Sequence, residues 1–525
     1  MSRTESVWAM LEGAYRVRTP QSRRLNEETR RTVGRRSENQ MGLPYPVYMA
    51  RGRGAVVYDV DRNPYLDFTG DAGALIHGHG HPRLSAAISE RSAQGTLSGF
   101  ASEEGIKLAQ LLTKRLPSVE FVHFTSSYDE AVALAVRAAR ALSGRTKVLK
   151  IEGAYHGSFE PLQWSIDPGP NGLPWPVPWP NGDGLPADGM SQVLAAPFND
   201  AKVTAQLIRT HAEELAAIVV PPVLMNGGAI AAQKPFLDAI AAATSEIDAF
   251  LILDERESLC LSPGGAQDLF GITPDITILG GLIGGGLTLG ALGGDKRLRQ
   301  IIEDDSSGLV HRERAHAANP AAMRGGAATL QLLTPDRIKY ISQLGQQLRD
   351  GITTAFKEAG ISGTATGVGS LVGIHFRTGP IENYRDQAAG RHDVQRALSA
   401  ALINQGILVA PNGLLRISTP MSRDDIDRTV RAIRTAIDQI APMLEEPRQV
   451  AAPAPLKRAK ASTYVQARVA EPEPEPQETK LKNVGTWSGP ARVRASNSDL
   501  LKVESTYQSN KLSGPPPNDP NRTTT

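Results

Sequence analysis

The 525-residue chain has one cysteine, Cys260, so it forms no internal disulfide. A reducing cytoplasm is the compartment that this scarcity suggests. Cys260 lies between Leu259 and Leu261 and reads as buried filler rather than a nucleophile. Apolar runs long enough to span a bilayer, ~18 residues, are absent, and residues 1–40 lack the apolar core of a signal peptide. Charge of a single sign is lacking as well. Lys and Arg total 57 against 55 Asp and Glu, a net charge of +2. A dedicated nucleic-acid binder would be more basic than this, and neither nucleic acid nor membrane is expected as a partner.

The small net charge hides an uneven distribution. Residues 1–40 carry +4 and residues 447–525 carry +5, which leaves about −7 for the body between them. In the first segment Trp8, Leu11 and Tyr15 follow helical spacing, so an amphipathic helix is expected over Ser6–Val17. Residues 447–525 hold eleven prolines, among them the run Glu471-Pro-Glu-Pro-Glu-Pro476, and few large apolar residues. That composition cannot bury a core and reads as a disordered tail. Arm and tail are the candidate contacts for a protein partner.

Residues 41–446 alternate strand-like and helix-like segments. Val56–Asp59 and Tyr65–Phe68 suit a small antiparallel sheet around Asp61-Arg62-Asn63. Strands follow at Phe121–Phe124, Lys147–Ile151, Ala217–Val220, Phe250–Leu253 and Ile276–Leu279, with helices at Glu130–Leu142, Ala201–Ala217 and Pro235–Ala242. A long helical stretch runs from Pro320 to Gly360, then a strand at Ser370–Phe376 and a last helix at Ser422–Ala441. The pattern predicts an α/β fold with a mainly parallel sheet, a large domain over about 80–330 and a smaller α+β domain from 41–79 and 331–446.

Seven motifs occur in order: Ala50-Arg-Gly-Arg-Gly-Ala55, Tyr58-Asp-Val-Asp61, Gly78-His-Gly-His-Pro82, Ile151-Glu-Gly-Ala-Tyr-His-Gly157, Leu253-Asp-Glu255, Leu279–Gly286 and Ala318-Asn-Pro320. On these residues the body, about 43–441, resembles the class III aminotransferases, and within them glutamate-1-semialdehyde aminomutase. The resemblance implies the fold type I architecture of pyridoxal-phosphate (PLP) enzymes and a homodimer with its sites at the subunit interface. It also implies a protein whose task is to position and tune that cofactor.

The resemblance assigns a role to each site position. Asp254 matches the carboxylate that pairs with the pyridine nitrogen, and Tyr155 and His156 the aromatic pair at the ring face. Arg416, in Leu414-Leu-Arg-Ile-Ser-Thr-Pro420, resembles the arginine that takes a substrate carboxylate. The family's Schiff-base lysine lies some 27 residues after the Asp of Asp-Glu, and here that position is Gly281. Glycine supplies neither nucleophile nor base. Lys150 and Lys296 are not credible substitutes. The phosphate cup, Asn-Ser-Gly-Thr-Glu-Ala in the family, is Ser126-Ser127-Tyr128-Asp129-Glu130-Ala131 here. Asp129 would repel a phosphate and suits a helix N-cap instead. The threonine that the neighbouring subunit donates becomes Ala315, after Arg314, and Arg256-Glu257 follow Asp254-Glu255. The aminomutase-like Glu is not evident in Asn412-Gly-Leu-Leu415.

Two other patterns carry less. His77, His79 and His81 belong to a glycine-rich turn rather than a metal site, and Gly284–Gly286 lacks the Lys-Ser/Thr of a nucleotide loop. The chain is therefore expected to be a degenerate aminotransferase homologue, kept for binding or assembly, with no catalytic residue and with no PLP or pyridoxamine phosphate (PMP), or only weakly bound cofactor. The alternative is an enzyme of the same type that uses the cofactor without a Schiff-base lysine. The altered charges are expected to close the vacated pocket, with Asp129 paired to Arg256 of its own chain or Arg314 of a neighbour; the alternative is that both arginines point outward and the pocket binds a different anion, with Arg416 as a further ligand.

Overall fold

A computed structural model describes residues 2–29, 42–96, 99–303 and 319–445. The tail 447–525, the end of the arm, Arg314 and Ala315 lie outside the described residues. At its centre is a seven-stranded sheet. From one edge its strands are Phe121–Thr125, Gly290–Gly294, Ile276–Leu279, Phe250–Asp254, Leu215–Val220, Lys147–Ile151 and Val193–Ala196. Gly290–Gly294 runs antiparallel to both its neighbours, and the other four pairings are parallel. Continuous apolar runs such as Leu-Ala-Ala-Ile-Val-Val form these strands because helices cover both faces, so no alternation is required.

The helix Tyr128–Ser143 shows how the covering works. Ala131, Val132, Leu134, Ala135, Val136, Ala138 and Ala139 are buried in it, and burying each Val or Leu is worth about 1.5–3 kcal/mol. It stops at Gly144, whose φ of +68° an L side chain would resist. The predicted helix over 201–217 ends at Thr210, because Leu215 already belongs to the next strand. The stretch after Pro320 is two helices, Pro320–Leu332 and Pro335–Glu358, with Thr334 capping the second. The Gly290–Gly294 strand is the strand-like segment that precedes Lys296. Its glycine content serves a close approach: a Cβ on Gly290 would strike the carbonyl of Ser127. That approach seats the start of the Tyr128–Ser143 helix against the sheet.

Segments far apart in the chain meet in a second sheet. Met49–Arg53, Val56–Asp59 and Pro64–Asp67 form antiparallel pairs, and Ile407–Leu408 adds a parallel strand, Ile407 opposite Leu66. The first helix spans Arg3–Arg18 behind a capping box of Ser2 and Glu5. Val7, Leu11 and Tyr15 are its buried stripe; Trp8 is only partly covered, against Gly42. The helix packs on His392–Asn404 and Arg423–Leu444, and the Tyr15 hydroxyl donates to the Tyr45 carbonyl at 2.8 Å. Among the described residues no helix is long and apolar enough to cross a membrane.

Candidate active site

Parallel strands deliver their carboxyl ends to one edge of the sheet, where crossing connections leave a crevice. Asp254 ends the Phe250–Asp254 strand there, and Gly280-Gly281 follow the neighbouring strand Ile276–Leu279. The Ala154-Tyr155-His156 turn approaches from beyond Lys147–Ile151, and Ser127-Tyr128-Asp129 open the long helix. Of these residues Tyr128, Ala154, Tyr155 and Asp254 line a cleft of about 460 Å³, counting its open mouth, whose wall also includes Met225, Arg256, Glu257 and Ser258.

Asp254 is the hub. It is buried, and its Oδ2 accepts from the Tyr128 hydroxyl and from His156 Nδ1 at 2.7 Å. Its Oδ1 accepts the Arg256 backbone N–H at 3.1 Å. His156 is fully buried, and burial holds its imidazole below the ordinary value although Asp254 pulls the other way. A neutral ring must then carry its proton on Nδ1 to donate to the carboxylate. Burial, with Asp254 alongside, pushes the Tyr128 phenol well above its ordinary range, so it stays a donor. The Arg256 guanidinium lies over the Tyr128 ring, 5.0 Å from its centroid. Tyr155 is 46% exposed at the mouth, and burial and the Asp129 charge raise its phenol.

Several sequence expectations are corrected. Ser127, not Asp129, caps the long helix: its hydroxyl accepts from the Glu130 N–H at 3.2 Å. Asp129 sits in the first turn, where a negative charge suits the helix dipole, and accepts from the Ser158 N–H. Among the described residues it pairs with no arginine. The ion pairs form around Glu257 instead. Its Oε2 takes Arg416 Nε at 2.8 Å and Nη2 at 2.5 Å, and its Oε1 lies 3.7 Å from Arg256. Arg416, read as a receptor for a substrate carboxylate, is thus already held by a carboxylate of its own chain. Arg256 and Glu257 were flagged by their unusual charges, but nothing local to them named Arg416 as the partner. Ser258, a buried hydroxyl on the cleft wall with no hydrogen-bond partner among the described residues, carried no sequence signal.

Gly281 begins a short 3-10 turn, Gly281–Gly284, at φ +53°. The nearest atoms to a Cβ there would be those of Ala74 and the Arg256 carbonyl, at 3.7–3.9 Å, so a Cβ fits but the backbone disfavours an L residue. Lys150 is fully buried, and its ammonium donates to the carbonyls of Ala154, Leu162 and Trp164 at 2.8, 3.0 and 2.6 Å. Burial lowers it to about 7, so what the amine lacks is access rather than basicity. No cluster of metal-ligating side chains occurs among the described residues.

Residues 37–437 match the family model "Aminotransferase class-III". A curated relative, glutamate-1-semialdehyde 2,1-aminomutase 2 of Brevibacillus brevis, is 34% identical over 393 residues, 74% of this chain and 90% of that enzyme. Among solved structures, an omega-transaminase from Sphaerobacter thermophilus is 36% identical with a TM-score of 0.75, covering 80% of this chain and 98% of that one. A transaminase with PLP bound is 33% identical, also at a TM-score of 0.75, covering 82% and 99%. These matches overturn the expectation of no cofactor or a weakly bound one: the family and its solved members point to PLP. In the conformation described here the side chains do not fit that group. The Tyr128 hydroxyl occupies the Asp254 oxygen assigned to a pyridine nitrogen, and Asp129 stands at the phosphate end.

Proposed function

This chain belongs to the class III aminotransferase family, and on that footing we propose that it is a member that does not transaminate through a lysine and serves by binding or assembly. The observation that carries the reading is Gly281, a residue without a side chain at the position that the resemblance assigns to the lysine. The sealed geometry of Lys150 supports it, since that amine faces three carbonyls and no cleft. PLP and PMP enter this reading only as non-covalent ligands. Asp254, His156 and Tyr155 are the residues that would hold and orient the ring, while Glu257 keeps Arg416 from a carboxylate.

Purified protein mixed with PLP, reduced with borohydride and digested should carry no stoichiometric pyridoxyl group on any lysine. It should also move no amino group between a panel of amino donors and a keto acid. A stoichiometric pyridoxyl-lysine or steady turnover refutes the reading. The same proposal makes the protein a cytoplasmic homodimer that meets other proteins through its arm or tail. Phe100 and Ile106, 70% and 60% exposed, are the large apolar side chains that a second copy would cover. A monomer by sedimentation at micromolar concentration counts against the dimer.

A further inference from the structure

We infer that Tyr128 is an internal ligand of the ring site: its phenol holds the place of a flat heteroaromatic ring and must leave before such a ring binds. The inference rests on the assignment of Asp254 in the reading above, and it adds the device that controls entry.

The Tyr128 side chain lies in a slot shaped for a six-membered ring. One wall is Gly280, where an added Cβ would come within 2.9 Å of Tyr128 Cβ and 3.1 Å of Cδ2. A second is Gly157, whose Cβ would come within 3.2 Å of Tyr128 Cε1. The Arg256 guanidinium covers a face of the ring. At the end of the slot Asp254 presents Oδ2, an acceptor fixed by its bond to His156. Such a slot selects a flat ring with a hydrogen-bond donor on its edge, which a phenol and a protonated pyridine both provide. Tyr128 fills it from the chain itself, 9% exposed, with its hydroxyl on Oδ2. Ring and phenol need the same acceptor, so they exclude each other. A ligand that selects the open state binds with an affinity reduced by the fraction of chains in which the slot is open. The site is thereby governed by a rotation of one side chain, with no bond made or broken.

The test is PMP binding by calorimetry to the full chain and its variants. Tyr128→Ala removes the internal ring and should bind PMP at least tenfold more tightly than the natural chain. Tyr128→Phe keeps the ring but not its donor and should fall between them. Equal or weaker binding by Tyr128→Ala overturns the inference. Should that variant not fold, fluorotyrosine at position 128 of the otherwise natural chain decides: PMP must shift its fluorine resonance as it binds, and an unshifted resonance at saturating PMP overturns the inference. Neither measurement depends on lysine chemistry. A pyridoxyl-lysine after borohydride would sink the non-transaminating reading while leaving the Tyr128 result to stand or fall separately.

Discussion

Lys150 and Gly281 lie at or just past the ends of two strands of one sheet, and they differ in opposite ways. Lys150 has an amine, lowered to about 7 by burial, yet three carbonyls and a fully covered environment shut it away. At Gly281 an added Cβ would make ordinary contacts with Ala74 and the Arg256 carbonyl, and the residue has no amine to offer. One strand end carries a sealed amine and the other carries none. Chemistry at a strand end needs a reactive group and an approach to it together, and the proposed function is that of a chain in which the two are separated.

The contrast predicts that changes at the sealed end cost stability and that changes at the open end alter binding. Lys150→Met should have the largest effect, because it strands three buried carbonyls. We expect a loss of about 3–5 kcal/mol in urea unfolding, in line with removing one partner of a buried charged group. A loss below ~1 kcal/mol would erase the distinction between the two strand ends.

The buried scaffold should also show in the pH dependence. Burial lowers His77 and His375 to about 4, against roughly 6.5 when unfolded. Their contribution is complete above the unfolded value and is lost as pH falls from 6.5 through 4, on the order of 3 kcal/mol each. Glu255 acts with the opposite sign. Burial raises it from 4.5 to about 7, although Ala266 and Gln267 donate to it, so its contribution is lost as pH rises through that range. The glutamate offsets one histidine, and Glu255→Gln should steepen the acid-side fall in melting temperature. An unchanged slope would mean that Glu255 does not titrate there.

At the open end, Glu257→Gln should release Arg416 for an external carboxylate. Malonate should then bind the variant about tenfold more tightly than the natural chain, a difference of about 1.4 kcal/mol. No gain would show that Arg416 is held by more than Glu257. The smallest effect is expected of Gly281→Lys. Its positive φ costs an L residue about 1–2 kcal/mol, and the amine alone should restore no transamination while Tyr128 occupies Asp254. Turnover by the single variant would show that the missing lysine was the one defect.

Much of the scaffold was legible because apolar runs report burial locally. The Lys147–Ile151 and Ile276–Leu279 strands have the limits that their residues suggested. The strand-like segment before Lys296 is Gly290–Gly294, but the sequence did not show why its residues are small: Ser127 approaches there, a demand set by a segment far away in sequence.

The sequence by itself determined that the body alternates strands and helices, that position 281 has no side chain and that unusual charges gather at Asp129, Arg256 and Glu257. It did not determine which of them meet. Only the tertiary structure brought Tyr128 to Asp254 across 126 residues and Arg416 to Glu257 across 159, leaving Asp129 with a backbone N–H. Periodic burial is written in near neighbours. A hydrogen bond between side chains depends instead on the register of separate elements and on the rotamers that their packing allows.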